Sequence, residues 1–451
     1  VAATALLATL LPGTALAGGG PGSDPLFLAD IGPKGGTFLF SANTPPYGRE
    51  LYKSDGTTAG TNRIKDIYPG PIGSDPEALL VVGDRLYFSA WHPDFGTELW
   101  RTNGTSASTR KVKDINPGTA SSMPEDLTSF KDRVYFTVTT PGESELWVTD
   151  GTAGGTERFI DLNPSGDDQI HYTAKLDGWL YFAGDDGTTG RELWRTDGTV
   201  EGTELVEDIQ PGTDEGNPLQ LVRSGDYVFF TADDGTHGRE IWRTDGTPAG
   251  TKLLKDLNPG SGHGPSTALT AINGKLYWLG PTPALGAELF VSDGTTPGTK
   301  VLKDINPGAA NSFPSQPMKF GASLVFAAET PARGEELYIS DGTRAGTRRL
   351  KDINPGTGNS QPFLLGKAGG YFLFAATDGV QRELWRTDGT EAGTILLKDI
   401  AVGPSQSSGP QFAGEVGPRL AFGADNQVAG NELWISNGRR AGTEMLKNIA
   451  N

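Results

Sequence analysis

The segment Glu192-Leu193-Trp194-Arg195-Thr196-Asp197-Gly198-Thr199 returns, with small changes, nine times along this chain. Its leading glutamates are Glu50, Glu98, Glu145, Glu192, Glu240, Glu288, Glu336, Glu383 and Glu432, spaced 47 to 49 residues apart. So little drift over nine copies restricts the chain to an array of equivalent units. No single unit of that size can bury both faces of its own sheet, so each needs neighbours.

One unit shows the anatomy. Residues 218–222 form a short apolar strand, and Ser224-Gly225-Asp226 turns it back. Residues 227–232 are aromatic and β-branched, as a second strand requires. Residues 240–244 and 252–257 read as third and fourth strands, and Asn258-Pro259-Gly260 opens a longer link. Four short strands, three short links and one long link describe a propeller blade. The expected fold is all-β, a β-propeller of nine four-stranded blades of about 48 residues in one ring. Two smaller rings or an open β-solenoid are the alternatives. Glycine (64 residues) and proline (31) supply the punctuation that such a fold needs.

The repeats occupy 25–451, with 18–24 as a short lead-in. Residues 1–17 are apolar, broken at Pro12-Gly13, and end in the small-residue pattern Ala15-Leu16-Ala17. They read as a secretory signal peptide, so the expected location is secreted or cell-surface, with the periplasm as a further option. The repeat framing predicts whole blades at both ends and closure by blade-face packing alone. There is no cysteine, hence no disulfide and no thiol chemistry. A net charge of −17 repels phosphate backbones, so nucleic acid is excluded as a partner. No apolar run other than the leader approaches membrane-span length, and a monomer is expected.

The motif resembles that of the bacterial ELWxxDGT repeat proteins, which Glu192 to Thr199 and Glu383 to Thr390 match residue for residue. The resemblance implies an exported or surface propeller and no catalytic activity or ligand. Tyr52, Phe290 and Tyr338 replace the tryptophan, and Asn103 and Asn437 the aspartate. A folding motif tolerates such changes better than an active centre does.

The candidate chemistry is therefore weighed against architecture. Asp55, Asp150, Asp197, Asp245, Asp293, Asp341 and Asp388 precede Gly-Thr and read as turn-forming carboxylates. The nine glutamates share a strand face with their aromatic neighbours, and are expected to pair with Lys65, Lys113, Lys255, Lys303, Lys351, Lys398 and Lys447. No cofactor is expected. Calcium is the one metal considered, at the loops of Asp185, Asp186, Asp233 and Asp234. Among the tryptophans, Trp91 is the candidate for exposure and ligand binding. The four histidines occupy unrelated repeat positions, and no catalytic motif occurs. The expected function is an exported, non-enzymatic binding or scaffold propeller engaging surface proteins or extracellular polysaccharide. The alternatives are a multivalent lectin and a carbohydrate-active enzyme with a site at the central channel.

Overall fold

The computed structural model describes residues 22–31, 36–260, 262, 264, 268–315, 317–403 and 406–450. Among them, 36 strands form nine four-stranded antiparallel sheets, and the helical elements are two single turns of 3-10 helix. The fold is a nine-bladed β-propeller. The blades span 26–63, 77–111, 124–158, 171–207, 219–255, 270–301, 318–349, 363–398 and 411–447. Strand order within each sheet follows the chain, so every connection inside a blade is a hairpin. The expected leader, 1–17, lies outside the described residues.

In blade 5 the strands are Leu219–Ser224, Tyr227–Asp233, Arg239–Thr244 and Lys252–Lys255. The fourth is shorter than its apolar pattern suggests, because Leu257 and Asn258 turn their N–H groups inward to Glu240. In blades 1, 2, 3, 6 and 7 the fourth strand keeps only two residues.

Two compact units make up the chain. Val1–Leu127, Gly151–Ala153 and Phe363–Asn451 form one, which holds blades 1, 2, 8 and 9; Thr128–Asp150 and Gly154–Pro362 form the other. In the second unit, Leu176, Tyr181 and Leu193 of blade 4 pack on Val228, Phe230 and Trp242 of blade 5. Ile272, Tyr277 and Leu289 of blade 6 likewise meet Leu324, Phe326 and Tyr338 of blade 7. Alternate residues of each middle strand thus serve opposite neighbours, and each such buried side chain contributes about 1.5–3 kcal/mol.

In the first unit, blade 9 packs on blade 1 through Phe38, Phe40, Val416, Leu433 and Ile435. A closed propeller requires that contact. Closure is not by packing alone, however. Ser23 Oγ donates to Glu432 at 2.6 Å, Asp24 N donates to the Asn431 carbonyl at 3.1 Å, and Lys447 Nζ reaches the Thr61 carbonyl at 2.6 Å. Residues 23–24 do for blade 9 what the inter-blade links do elsewhere.

Candidate functional site

The repeat glutamates are buried locks on the link that leaves each blade. Eight of them, Glu145 excepted, have no exposed surface. Glu50 accepts from the N–H groups of Ile67 (3.1 Å), Tyr68 (3.0 Å) and Ser74 (3.1 Å), and from Ser74 Oγ at 2.8 Å. Glu98, Glu288 and Glu336 likewise accept from the N–H groups 17 and 18 residues on and from the hydroxyls of Ser122, Ser312 and Ser360, whose own N–H groups go to the carbonyl preceding each glutamate. A chain that turns between blades must satisfy its inward N–H groups, and one carboxylate satisfies two or three of them. Burial pushes Glu50, Glu192 and Glu240 up to about 7, against those hydrogen bonds, which lower them. In blades 4 and 5 glycine replaces the serine. A Cβ on Gly216 would lie 2.6 Å from the Glu192 carboxylate, while its N–H donates there at 2.6 Å.

Blade 3 departs from the rule. Glu145 turns to Trp147 Nε1 (2.9 Å) and Arg158 Nη1 (2.6 Å). Asp168, itself buried, takes the vacated role by accepting from the backbone of Leu162 and Asn163. Those two donors stand where Ile67 and Tyr68 stand relative to Glu50.

The expected glutamate–lysine pairs do not form at the five lysines whose partners are resolved. Lys65, Lys255, Lys303, Lys398 and Lys447 instead donate to the carbonyls of Thr109, Thr299, Thr347, Thr443 and Thr61, each in the following blade. The glutamates face the N–H groups of the outgoing link, and the ammonium runs past them to the neighbour. Lys255→Met is expected to cost about 1–2 kcal/mol, because it strands the Thr299 carbonyl. Thermal denaturation measures that directly.

The Asp-Gly-Thr carboxylates are turn-formers. Asp55, Asp197, Asp245, Asp293, Asp341 and Asp388 each accept from the N–H and hydroxyl of the threonine two residues on. These bonds hold their pKa values below the usual carboxylate range. Beside them runs a feature that the motif reading missed. A hydroxyl just before the motif aspartate pairs with a threonine seven residues later, from Ser54···Thr61 at 2.7 Å to Ser436···Thr443 at 2.7 Å. It recurs in every blade and ties the third strand to the fourth.

The acidic loops considered for calcium use their oxygens internally. Asp186 Oδ1 accepts from the N–H and hydroxyl groups of Thr188 and Thr189, and Asp185 Oδ1 from Gly187 N. Asp234 holds Thr236 N, His237 N and the His237 ring, and Asp233 holds Gly235 N. Trp91 is half-buried, edge-on to Tyr68 with ring centres 4.5 Å apart. Trp100, Trp242, Trp385 and Trp434 of the motif are buried in blade packing.

A different cluster, in blades 4 and 5, stands out from the repeat. Arg191 is only 8% exposed, and its Nε and Nη2 have no hydrogen-bond partner. Its Nη1 donates to Asn217 Oδ1 at 3.0 Å, while Arg239 Nη1 donates to the Asn217 carbonyl at 2.8 Å. The exposed ring of Tyr172 lies 6.0 Å from the Arg191 guanidinium. Three residues beyond Asn217, Gln220 has a buried Oε1 without a donor. Tyr172 and Gln220 both sit at bulges with positive φ (54° and 58°) in adjacent first strands. Burial disfavours both cations and lowers the pKa of each. The sequence signal for this site was departure from the repeat, since only some units place arginine before the glutamate. The arrangement offers spare N–H donors on Arg191 and, on the first strand of the next blade, a spare carbonyl acceptor on Gln220.

No family model matches the chain, and no curated protein matches it by sequence. Similar solved structures include a prolyl endopeptidase (12% identity, TM-score 0.44, covering 78% of this chain and 54% of that one). A puromycin-hydrolysing peptidase of Mycobacterium tuberculosis (15%, TM-score 0.41) covers 78% and 57%. Pyrococcus horikoshii acylaminoacyl peptidase (11%, TM-score 0.38) also covers 78% and 57%. This chain thus spans little more than half the length of these proteins, and the likeness is one of fold. All three are peptidases. That stands against the expectation of a non-enzymatic binding or scaffold propeller, although a likeness of fold by itself assigns no activity. No helix among the described residues is long and apolar enough to cross a membrane.

Proposed function

We propose that this chain serves peptide hydrolysis, as a propeller that engages a peptide through its carboxylate at Arg191. The observation behind this reading is the buried Arg191 guanidinium with two N–H edges unused. An unsatisfied buried donor costs about 1–3 kcal/mol, more when charged, and a carboxylate relieves it with charge-assisted bonds. A peptide terminus brings both the carboxylate for Arg191 and an amide N–H for Gln220 Oε1. Tyr172 offers its exposed face to the terminal side chain.

The leader at 1–17 and the ELWxxDGT-like motif support export, and the net charge of −17 argues against a nucleic-acid role.

Calorimetric titration of the full chain with Ala-Ala-Phe and with its C-terminal amide tests the site. The free acid is expected to bind at least about ten-fold more tightly than the amide, and Arg191→Met to erase the difference. Equal binding of acid and amide, or none of either, would remove the proposal.

A further inference from the structure

An outermost strand presents a row of unpaired backbone groups, and proteins commonly guard it with charge. In eight blades the residue just after the threonine that ties the third strand to the fourth is Asn, Arg, Glu or Lys, from Asn62 in blade 1 to Glu444 in blade 9. Blade 8 places Ile395 there instead, followed by Leu396, and both are exposed (36% and 40%) on the edge strand Ile395–Lys398. That strand is also one of the longer fourth strands, so its edge offers more than the two residues left in five other blades.

Beside it lies a groove of about 460 Å³ bordered by Ile395, Leu396, Tyr371, Arg439 and Arg440. The two arginines stand just after Asn437-Gly438, where other blades have the motif threonine and its successor. Both are exposed, and neither makes an ion pair among the described residues. On a chain of net charge −17, two unpaired guanidiniums beside an unguarded apolar edge form a local reversal of character.

We infer that the edge of blade 8 takes an extended acidic segment of a partner protein as a fifth strand. The backbone of Ile395–Lys398 would supply the ladder bonds, Ile395 and Leu396 the apolar contact, and Arg439 and Arg440 the pairing with alternate carboxylates. Charge complementarity selects an acidic strand over a basic one.

Fluorescence anisotropy of a labelled peptide of alternating valine and glutamate, added to the full chain, is the test. Binding is expected, weakened at least about ten-fold by Ile395→Lys and by the Arg439→Glu, Arg440→Glu pair, and absent for a valine–lysine peptide. All three residues are exposed, so an unchanged melting temperature confirms folding of the variants. No binding to the wild-type chain, or binding indifferent to both variants, overturns the inference. Self-association in sedimentation that the same substitutions abolish also overturns it, by assigning the edge to a second copy.

Discussion

Glu50→Ala is expected to destabilise the protein by about 4 kcal/mol, whereas Glu145→Ala costs about 1 kcal/mol. Both residues head the same motif. The difference lies in what each carboxylate holds. Removing Glu50 strands the Ile67 and Tyr68 N–H groups and the Ser74 hydroxyl around a fully buried position, while the Ser74 N–H keeps its bond to the Arg49 carbonyl. Removing Glu145 frees Arg158 and Trp147 at a partly exposed position. Asp168→Ala, outside the motif, is expected to cost about 3 kcal/mol, because Asp168 is the lock of blade 3. Chemical denaturation of the three variants orders them. Equal losses for Glu50 and Glu145 would show that the lock is not what the glutamates contribute.

Stability is expected to fall as pH rises from about 4.5 to 7. In the unfolded chain a glutamate titrates near 4.5, whereas burial in the fold pushes Glu50, Glu192 and Glu240 up to about 7. Between those values the folded state binds more protons than the unfolded one, so each rise in pH favours unfolding until about 7 and then ceases to. The effect is on the order of 3 kcal/mol per glutamate. The turn aspartates act with the opposite sign at lower pH. Their depressed pKa values contribute stability above 3.8 that is lost as pH falls through the folded values. The melting temperature should therefore peak near pH 4.5–5 and be higher at pH 5 than at pH 8. Glu192→Gln, which cannot titrate, should remove one glutamate's share of the slope. A melting temperature that climbs steadily from pH 5 to 8 would refute the assignment.

The repeat period, the four-strand unit and the turn role of the Asp-Gly-Thr aspartates were legible in the chain itself. Each depends on local order: alternation along a strand, a tight turn, a carboxylate two residues from its donor. The glutamates were legible as regular but not as locks, because their donors lie 17 to 25 residues downstream on a link with no pattern of its own. Lysine looked like their partner by proximity in sequence, yet only the packing of blades shows that Thr299 of the next blade is what Lys255 reaches. Sequence alone thus determined what repeats, because repetition is a property of short-range chemistry. Tertiary structure decided where the repeat is broken to some end. Asp168 standing in for Glu145, Ser23 completing blade 9, Arg191 left unsatisfied and Ile395 left unguarded each depend on residues far apart in the chain. Their significance appears only when the blades lie side by side.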